Sequence, residues 1–245
     1  MAMKRRQAAP MEDGYPVPGL RRRIAQLPVL GASYAGVLDP SEGRTGGDNS
    51  AFCLFDRDTG MNVGELYGRA EPHVMVREAV ALMRRYLEEG AAAVTYVPLI
   101  TGNFGSVAQL GLDAGWRHVY RRAMRPGEEM WDESYRSRAY GFIETGQQEN
   151  MRAAFLQQVN DGRLWTPFEQ AQGDWFRYEW GTRDHKPDRT VCAAVFAVVR
   201  YELPAGRIAG RGAARSPWRA RRLIPRGGAS GYASHVAGAE GGLYS

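Results

Sequence analysis

The chain has 245 residues, a formal net charge of +5, 44% hydrophobic and 11% aromatic residues, and two cysteines. This composition fits one sizeable globular domain with flanking segments and excludes a disulfide scaffold or a cysteine-rich zinc module. No apolar run reaches the roughly 18 residues of a membrane-spanning helix, and "MAMKRRQAAPMEDG" is not followed by the apolar stretch of a secretory signal, so a cytoplasmic protein is expected.

Residues 1–30 are basic and punctuated by proline ("GYPVPGLRRRIAQLPVLG") and read as an N-terminal arm or linker. The core is expected to span 31–203. It opens with "SYAGVLDPSEG", an apolar strand that stops at Asp39-Pro40, because proline cannot donate to a ladder and restricts the residue before it. Aspartate is a poor strand residue and is costly to bury unpaired. Asp39 therefore either shapes a turn or faces a positive partner. "AFCLFD" and "MNVGELYG" follow as two more strands, joined by the hairpin chemistry of Asp58-Thr59-Gly60. Three consecutive antiparallel strands are predicted.

"EPHVMVREAVALMRRYLEEG" carries Val76, Val80, Met83 and Leu87 on one stripe and stops at Gly90, the pattern of an amphipathic helix. The continuous apolar run "AAAVTYVPLI" suits a central parallel strand. "TGNFGSVAQLGLDAG" then reads as a Gly-rich loop opening a second helix, and "WRHVYRR" as a short strand. Residues 125–140 are polar and irregular. A third helix is predicted over "ETGQQENMRAAFLQQVNDG", with Thr145 and Gln148 as a capping box and Met151, Phe155 and Val159 as its stripe. "RLWTP" is extended, and "PDRTVCAAVFAVVRY" forms a last helix whose apolar stripe runs back to Asp188. The aromatics Trp165, Trp175, Phe176, Tyr178 and Trp180 fit core or partner-surface packing better than base stacking, which wants them interleaved with basic residues.

Beyond residue 203 the chain changes character. Seven arginines, at 207, 211, 215, 219, 221, 222 and 226, stand among Gly, Ala, Ser and Pro, with Glu240 the only acid after Glu202. Residues 204–245 read as a flexible basic tail, either touching nucleic acid or an acidic partner, or simply solvated.

Asp39 ends the first core strand and Asp188 opens the last helix on its packed side. Two acids on rigid elements are the raw material of a site for a hard divalent ion, which takes carboxylate oxygens. Each also has a structural reading, Asp39 as a turn former and Asp188 as an acid favoured by the helix dipole. Spacing alone does not choose between them.

The quoted blocks carry a further signal. "YAGVLDPSEGRTGGDNSAFCLFDRDTG" resembles the opening of the nuclease domain of phage terminase large subunits, "GFIETGQQENMRAAFLQQVNDGRLWTP" a later block of that family, and "DHKPDRTVCAAVFAV" its closing helix. Order and spacing agree over roughly residues 34–200. The resemblance implies an α/β, RNase H-like mixed sheet, three antiparallel strands then parallel ones, flanked by helices. It also implies Mg²⁺- or Mn²⁺-dependent, two-metal cleavage of concatemeric double-stranded DNA during viral packaging. Asp39 matches the family's first catalytic and metal-binding aspartate. Asp188 matches the second of the closing pair, with Pro187 in place of the first.

One departure stands out. The family's middle acid falls at Ile100, or less well at Pro98, and no acid occurs from Gly90 to Leu112. The second metal would then be poorly held, unless Asp48, Glu42 or Asp184 substitutes; His185 is a candidate neighbour of the site. The alternative is a catalytically degenerate module that binds DNA or docks on a packaging partner. No Gly-Lys-Ser/Thr occurs in the sequence, so the phosphate loop of a packaging ATPase is missing, and a separate ATPase chain and a portal are the expected partners.

Overall fold

The computed structural model of the chain describes residues 11–42, 47–100, 106–121, 140–144, 146–178 and 189–205. Clustering of the backbone separates Met1–Arg211 from Gly212–Ser245. The second unit and the Arg-rich stretch from 206 lie outside the described residues.

The predicted meander is present as β3 (Ser33–Asp39), β4 (Ser50–Asp56) and β5 (Asn62–Gly68), paired antiparallel in sequence order. All seven residues of β3 are buried, as expected for a strand covered on both faces. The turn from β4 to β5 closes when Asp56 Oδ1 accepts the backbone N–H groups of Asp58 and Thr59 at 2.8 and 3.0 Å. Gly60 has φ +71°, and a Cβ there would stand 1.8 Å from the Arg163 carbonyl oxygen. Only glycine satisfies both conditions.

The apolar run "AVTYVPLI" is β6 (Ala93–Ile100), parallel to β3, and β7 (Phe142–Ile143) adds in parallel beyond it. The polypeptide before the meander also joins the sheet. Residues 12–24, read from the sequence as part of an arm, form the hairpin β1 (Glu12–Val17) and β2 (Leu20–Ile24), and β2 pairs with β5. The complete order is β1-β2-β5-β4-β3-β6-β7. Prolines hid this hairpin in the sequence, yet an edge strand tolerates them. The arginines hid it too, and their partners explain them: Arg21 pairs with Asp13 across the hairpin, and Arg23 with Glu65 on β5.

Helices cover both faces. On one side α1 (Pro72–Glu88) opens with proline in its first turn, where the missing N–H costs nothing. It buries Met75, Val76, Ala79, Val80, Leu82, Met83 and Tyr86 in one cluster with Tyr34, Leu38, Phe52 and Leu54. Gly36 lets it approach: a Cβ there would meet Phe52 at 2.6 Å and Met83 Sδ at 2.8 Å. On the same side α2 (Ser106–Asp113) lays Gly111 against the ring of Tyr96.

The opposite face carries α3 (Gln148–Asn160), α4 (Glu169–Arg177) and α5 (Arg189–Val199). Ten of the eleven α5 residues are buried, because α3 and α4 cover the side that the sheet leaves open. Phe196 of α5 stacks on Phe55 of β4 with centroids 4.5 Å apart, a pairing that adds about 1 kcal/mol to simple burial.

Two local expectations change, and one helix is new. The strand over "WRHVYRR" reduces to isolated bridges from Val119 to Tyr96 and from Arg121 to Tyr140. The N-cap of α3 is Gln147, with no side-chain cap; Thr145 lies outside the described residues. The aromatic stretch around Trp175 is a helix, α4, with Trp175 packed edge-to-face on Phe155 at 5.4 Å.

Candidate functional site

Because β3, β6 and β7 run parallel, their carboxyl ends lie along one edge, the place where open α/β sheets present ligand-binding residues. Asp39 is the last residue of β3 and is 5% exposed. In register it faces Ala51 on β4, which faces Tyr67 on β5. Side chains along one such row share a face, and here it is the face covered by α5. Cys192 of α5 donates its thiol to the Ala51 carbonyl at 3.4 Å. Burial pushes that thiol's pKa well up, the neighbouring Cys53 and the Asp39 charge add to the effect, and a backbone hydrogen bond at Asp39 works against it. The first turns of α5 thus lie directly over the tip of β3.

The loop after Asp39 is pinned at its base. The Ser41 N–H donates to Ser50 Oγ at 2.8 Å, and the Ser41 hydroxyl donates to the Asp48 carbonyl at 2.8 Å. Asn49 then donates its amide to the Tyr67 hydroxyl at 3.1 Å. These bonds hold the ends of β3, β4 and β5 in fixed relation.

Beside this row sits a buried charge cluster that the sequence reading missed. Glu65, 1% exposed, lies opposite Cys53 on the same face. Arg23 of β2 donates to Glu65 from Nε at 2.9 Å and also from Nη2. Arg189, the first residue of α5, is 3% exposed. Its Nε lies 3.2 Å from both Glu65 carboxylate oxygens, only Oε1 in hydrogen-bond geometry. Its Nη1 pairs with Asp174 of α4, and its guanidinium carbon is 3.5 Å from the Tyr67 ring centroid. Burial works against the Arg189 charge, but Glu65 and Asp174 outweigh it and hold the pKa above the ordinary arginine value. Two buried cations, Arg23 and Arg189, thus meet Glu65 and Asp174, and the more exposed Arg177 lies 3.9 Å from Asp174. The available signals were a lone Glu inside the otherwise apolar "NVGELYG" and an arginine heading an apolar helix.

The predicted site residues divide. Asp39 stands at the tip of the central strand. Asp48 and Glu42 lie exposed on the loop beside it. Asp184, His185 and Asp188 lie outside the described residues, although Asp188 directly precedes Arg189 in the chain. Ile100 needs correcting as the position of the missing acid. It packs against the α1-side cluster, whereas Leu99 joins the α5-side cluster with Val37 and Val97. Pro98 pairs with Leu38, another α1-side residue. An acid at 100 or 98 would point away from Asp39. The position of β6 that shares Asp39's face is Leu99, and Thr101, the residue after β6, lies outside the described residues. Neither is acidic.

A further carboxylate does occur at this edge. Glu144, half-buried, follows β7 two residues beyond Phe142, which packs on the α5 side beside Leu99. Among the described residues no group of three or more His, Cys, Asp and Glu could hold a metal ion, and no helix is long and apolar enough to cross a membrane.

No protein-family model matches the chain, and a sequence comparison with curated proteins finds no match. Solved structures do match. The large terminase nuclease from thermophilic phage G20c with bound cobalt aligns over 72% of this chain and 86% of its own, with TM-score 0.51 and 16% identity. The same nuclease with bound magnesium aligns over the same shares with TM-score 0.50 and 16% identity. With bound zinc the TM-score is 0.50 and the identity 14%. In its mixed sheet, strand directions and flanking helices, the chain has the RNase H-like fold of the phage large terminase nuclease.

Proposed function

We propose that the chain is a terminase-type, metal-dependent endonuclease domain that cuts concatemeric viral DNA during genome packaging. The observation that carries this reading is Asp39, a buried carboxylate at the carboxyl tip of the central strand with the start of α5 packed over it. A nuclease of the same fold binds cobalt, magnesium and zinc.

The donor chemistry fits a hard divalent ion, Mg²⁺ or Mn²⁺. Asp39 and Asp188 offer carboxylate oxygens, and Glu144 is the described acid at the same sheet edge that can stand in for the one β6 lacks. When bound, such ions activate a water for attack on a phosphodiester and stabilise the leaving oxygen. The protein's own part is to hold Asp39 at a fixed point through the β3 ladder and the Ser41–Ser50 and Asn49–Tyr67 bonds. With Leu99 in place of an acid, a second ion is held more weakly than the first. Double-stranded DNA is the substrate. A packaging ATPase and a portal are its partners in this reading. The protein works in the host cytoplasm.

A second reading, a DNA-binding or partner-docking module without cleavage, draws support from Leu99 standing where an acid would face Asp39.

The test is incubation of the purified protein with supercoiled plasmid in Mn²⁺ or Mg²⁺, beside Asp39→Ala, Asp188→Ala and Glu144→Ala. Metal-dependent nicking that Asp39→Ala and Asp188→Ala abolish, and Glu144→Ala reduces, supports the nuclease. Salt-sensitive DNA retardation by a folded but non-cleaving protein supports the module. Neither cleavage nor DNA binding refutes both.

A further inference from the structure

We infer that Tyr67 and Asn49 form a contact for a DNA backbone phosphate beside Asp39, gripping a phosphate oxygen with two uncharged donors. The inference rests on DNA lying against the Asp39 edge of the sheet, which both readings above share.

Within β5 every residue is buried except Tyr67, which is half-buried. β5 runs in the same direction as β3, because each is antiparallel to β4. Its carboxyl end therefore opens on the edge where Asp39 stands. Asp39, Ala51 and Tyr67 form one row across the three strands, and two strand spacings, about 10 Å, separate the first from the third. Asn49, also half-buried, directly precedes β4 at this edge. Its bond to the Tyr67 hydroxyl brings the two polar tips together.

Counting hydrogens shows what the pair has left to give. An amide carries two N–H donors, and a phenol that accepts one bond keeps its own O–H to donate. One Asn49 N–H goes to the Tyr67 oxygen at 3.1 Å, and among the described residues the other N–H and the Tyr67 O–H have no acceptor. The ring is fixed in advance. The Arg189 guanidinium lies 3.5 Å from its centroid, and Glu65 and Asp174 hold Arg189 in turn. A side chain already held on its face and at its tip loses little freedom on binding. The cations behind it cannot reach DNA themselves, since Arg23 and Arg189 are 6% and 3% exposed.

Phosphate oxygens take hydrogen bonds from Asn and Tyr as well as from Arg and Lys. Beside a carboxylate site for a divalent ion the uncharged donors have an advantage, because they grip phosphate without repelling the metal. With a rise of about 3.4 Å per step along one strand, the pair reaches a phosphate within about three steps of one held at Asp39.

The experiment measures the affinity of the full chain for a fluorescein-labelled duplex by anisotropy, in EDTA so that no cleavage intervenes, from about 50 to 200 mM NaCl. The proteins are wild type, Tyr67→Phe, Asn49→Ala and the double variant, each checked for folding by circular dichroism. Tyr67→Phe keeps the stacked ring and removes only the hydroxyl. Each single variant is expected to bind about 5-fold more weakly, the loss of one uncharged hydrogen bond. The double variant should lose less than the product of the two, because both donors serve one phosphate. The slope of log affinity against log salt should match wild type, since uncharged donors release no counterions. On plasmid, Tyr67→Phe should raise KM and leave kcat unchanged. A folded Tyr67→Phe with wild-type affinity, or a slope shallower by about 1, the mark of a lost cationic contact, overturns the inference and leaves the nuclease reading standing. Should Tyr67→Phe not fold, Asn49→Ala decides alone, and wild-type affinity in that variant overturns the inference. A wild type that binds DNA but never cuts sinks the nuclease reading, while the same affinity losses still support the phosphate contact. A wild type that binds no DNA overturns both.

Discussion

Replacing Arg200 with methionine should cost the protein much of its stability. Arg200 follows α5 and is 5% exposed. Its Nε donates to the Arg57 carbonyl and its Nη2 to the Asp58 carbonyl, both in the β4–β5 turn. Its Nη1 donates to the Arg163 carbonyl, past the end of α3, and to Gln158 Oε1 at 3.3 Å. One side chain thereby ties the end of α5 to two connections and answers three backbone carbonyls. Methionine keeps most of the volume and none of the donors. These bonds are part-buried; a hydrogen bond from a charged group contributes about 1.5–3 kcal/mol, and water reaching the freed carbonyls keeps the sum below simple addition, so about 4 kcal/mol is expected. Total stability is typically about 5–15 kcal/mol. With an m-value of about 2 kcal/mol/M the urea midpoint should fall by about 2 M. Arg200→Lys keeps the charge but cannot span three carbonyls with one nitrogen, and should recover less than half of the loss. Equilibrium urea unfolding followed by circular dichroism gives the numbers. A midpoint shift below about 0.5 M for the methionine variant, or a lysine variant as stable as wild type, would refute the reasoning.

Two further outcomes follow from the same structure. Gly60→Ala puts a Cβ at positive φ and against the Arg163 carbonyl, so it should destabilise by at least about 2 kcal/mol; an unchanged melting temperature would count against the turn geometry. At high pH, burial raises the pKa values of Tyr34, Tyr86, Tyr96 and Tyr120, and at Tyr120 the hydrogen bond to Glu202 adds to it. Unfolded tyrosine ionises near about pH 10. The folded values lie above that, so this contribution is full below about pH 10 and is lost as pH rises toward them. Absorbance at 295 nm should show these four ionising together with loss of the dichroism signal. Smooth titration of all twelve tyrosines near pH 10 in a folded protein would contradict it.

The sequence by itself determined the run of elements from the three-strand meander through the second helix, and the strand that stops at Asp39. Those features depend on neighbours in the chain: a run of apolar residues cut by Asp39-Pro40, a stripe at helical spacing from Val76 to Leu87, and the turn chemistry of Asp58-Thr59-Gly60. The hairpin of β1 and β2 was not legible, because its arginines read as a solvated run until Glu65, 42 residues beyond Arg23, is brought beside them. Nor could Arg189 be recognised as a buried clamp, since its partner Glu65 is 124 residues away. The face of β6 was equally hidden. An uninterrupted apolar strand buries both sides, so its pattern carries no alternation to say whether Leu99 or Ile100 lies beside Asp39. Only pairing with β3 decides that, because parallel register places Val97 beside Val37 and so Leu99 toward α5. Local chemistry set where each element begins and ends; which side chains meet was left to tertiary contacts, which carry no signature in sequence spacing.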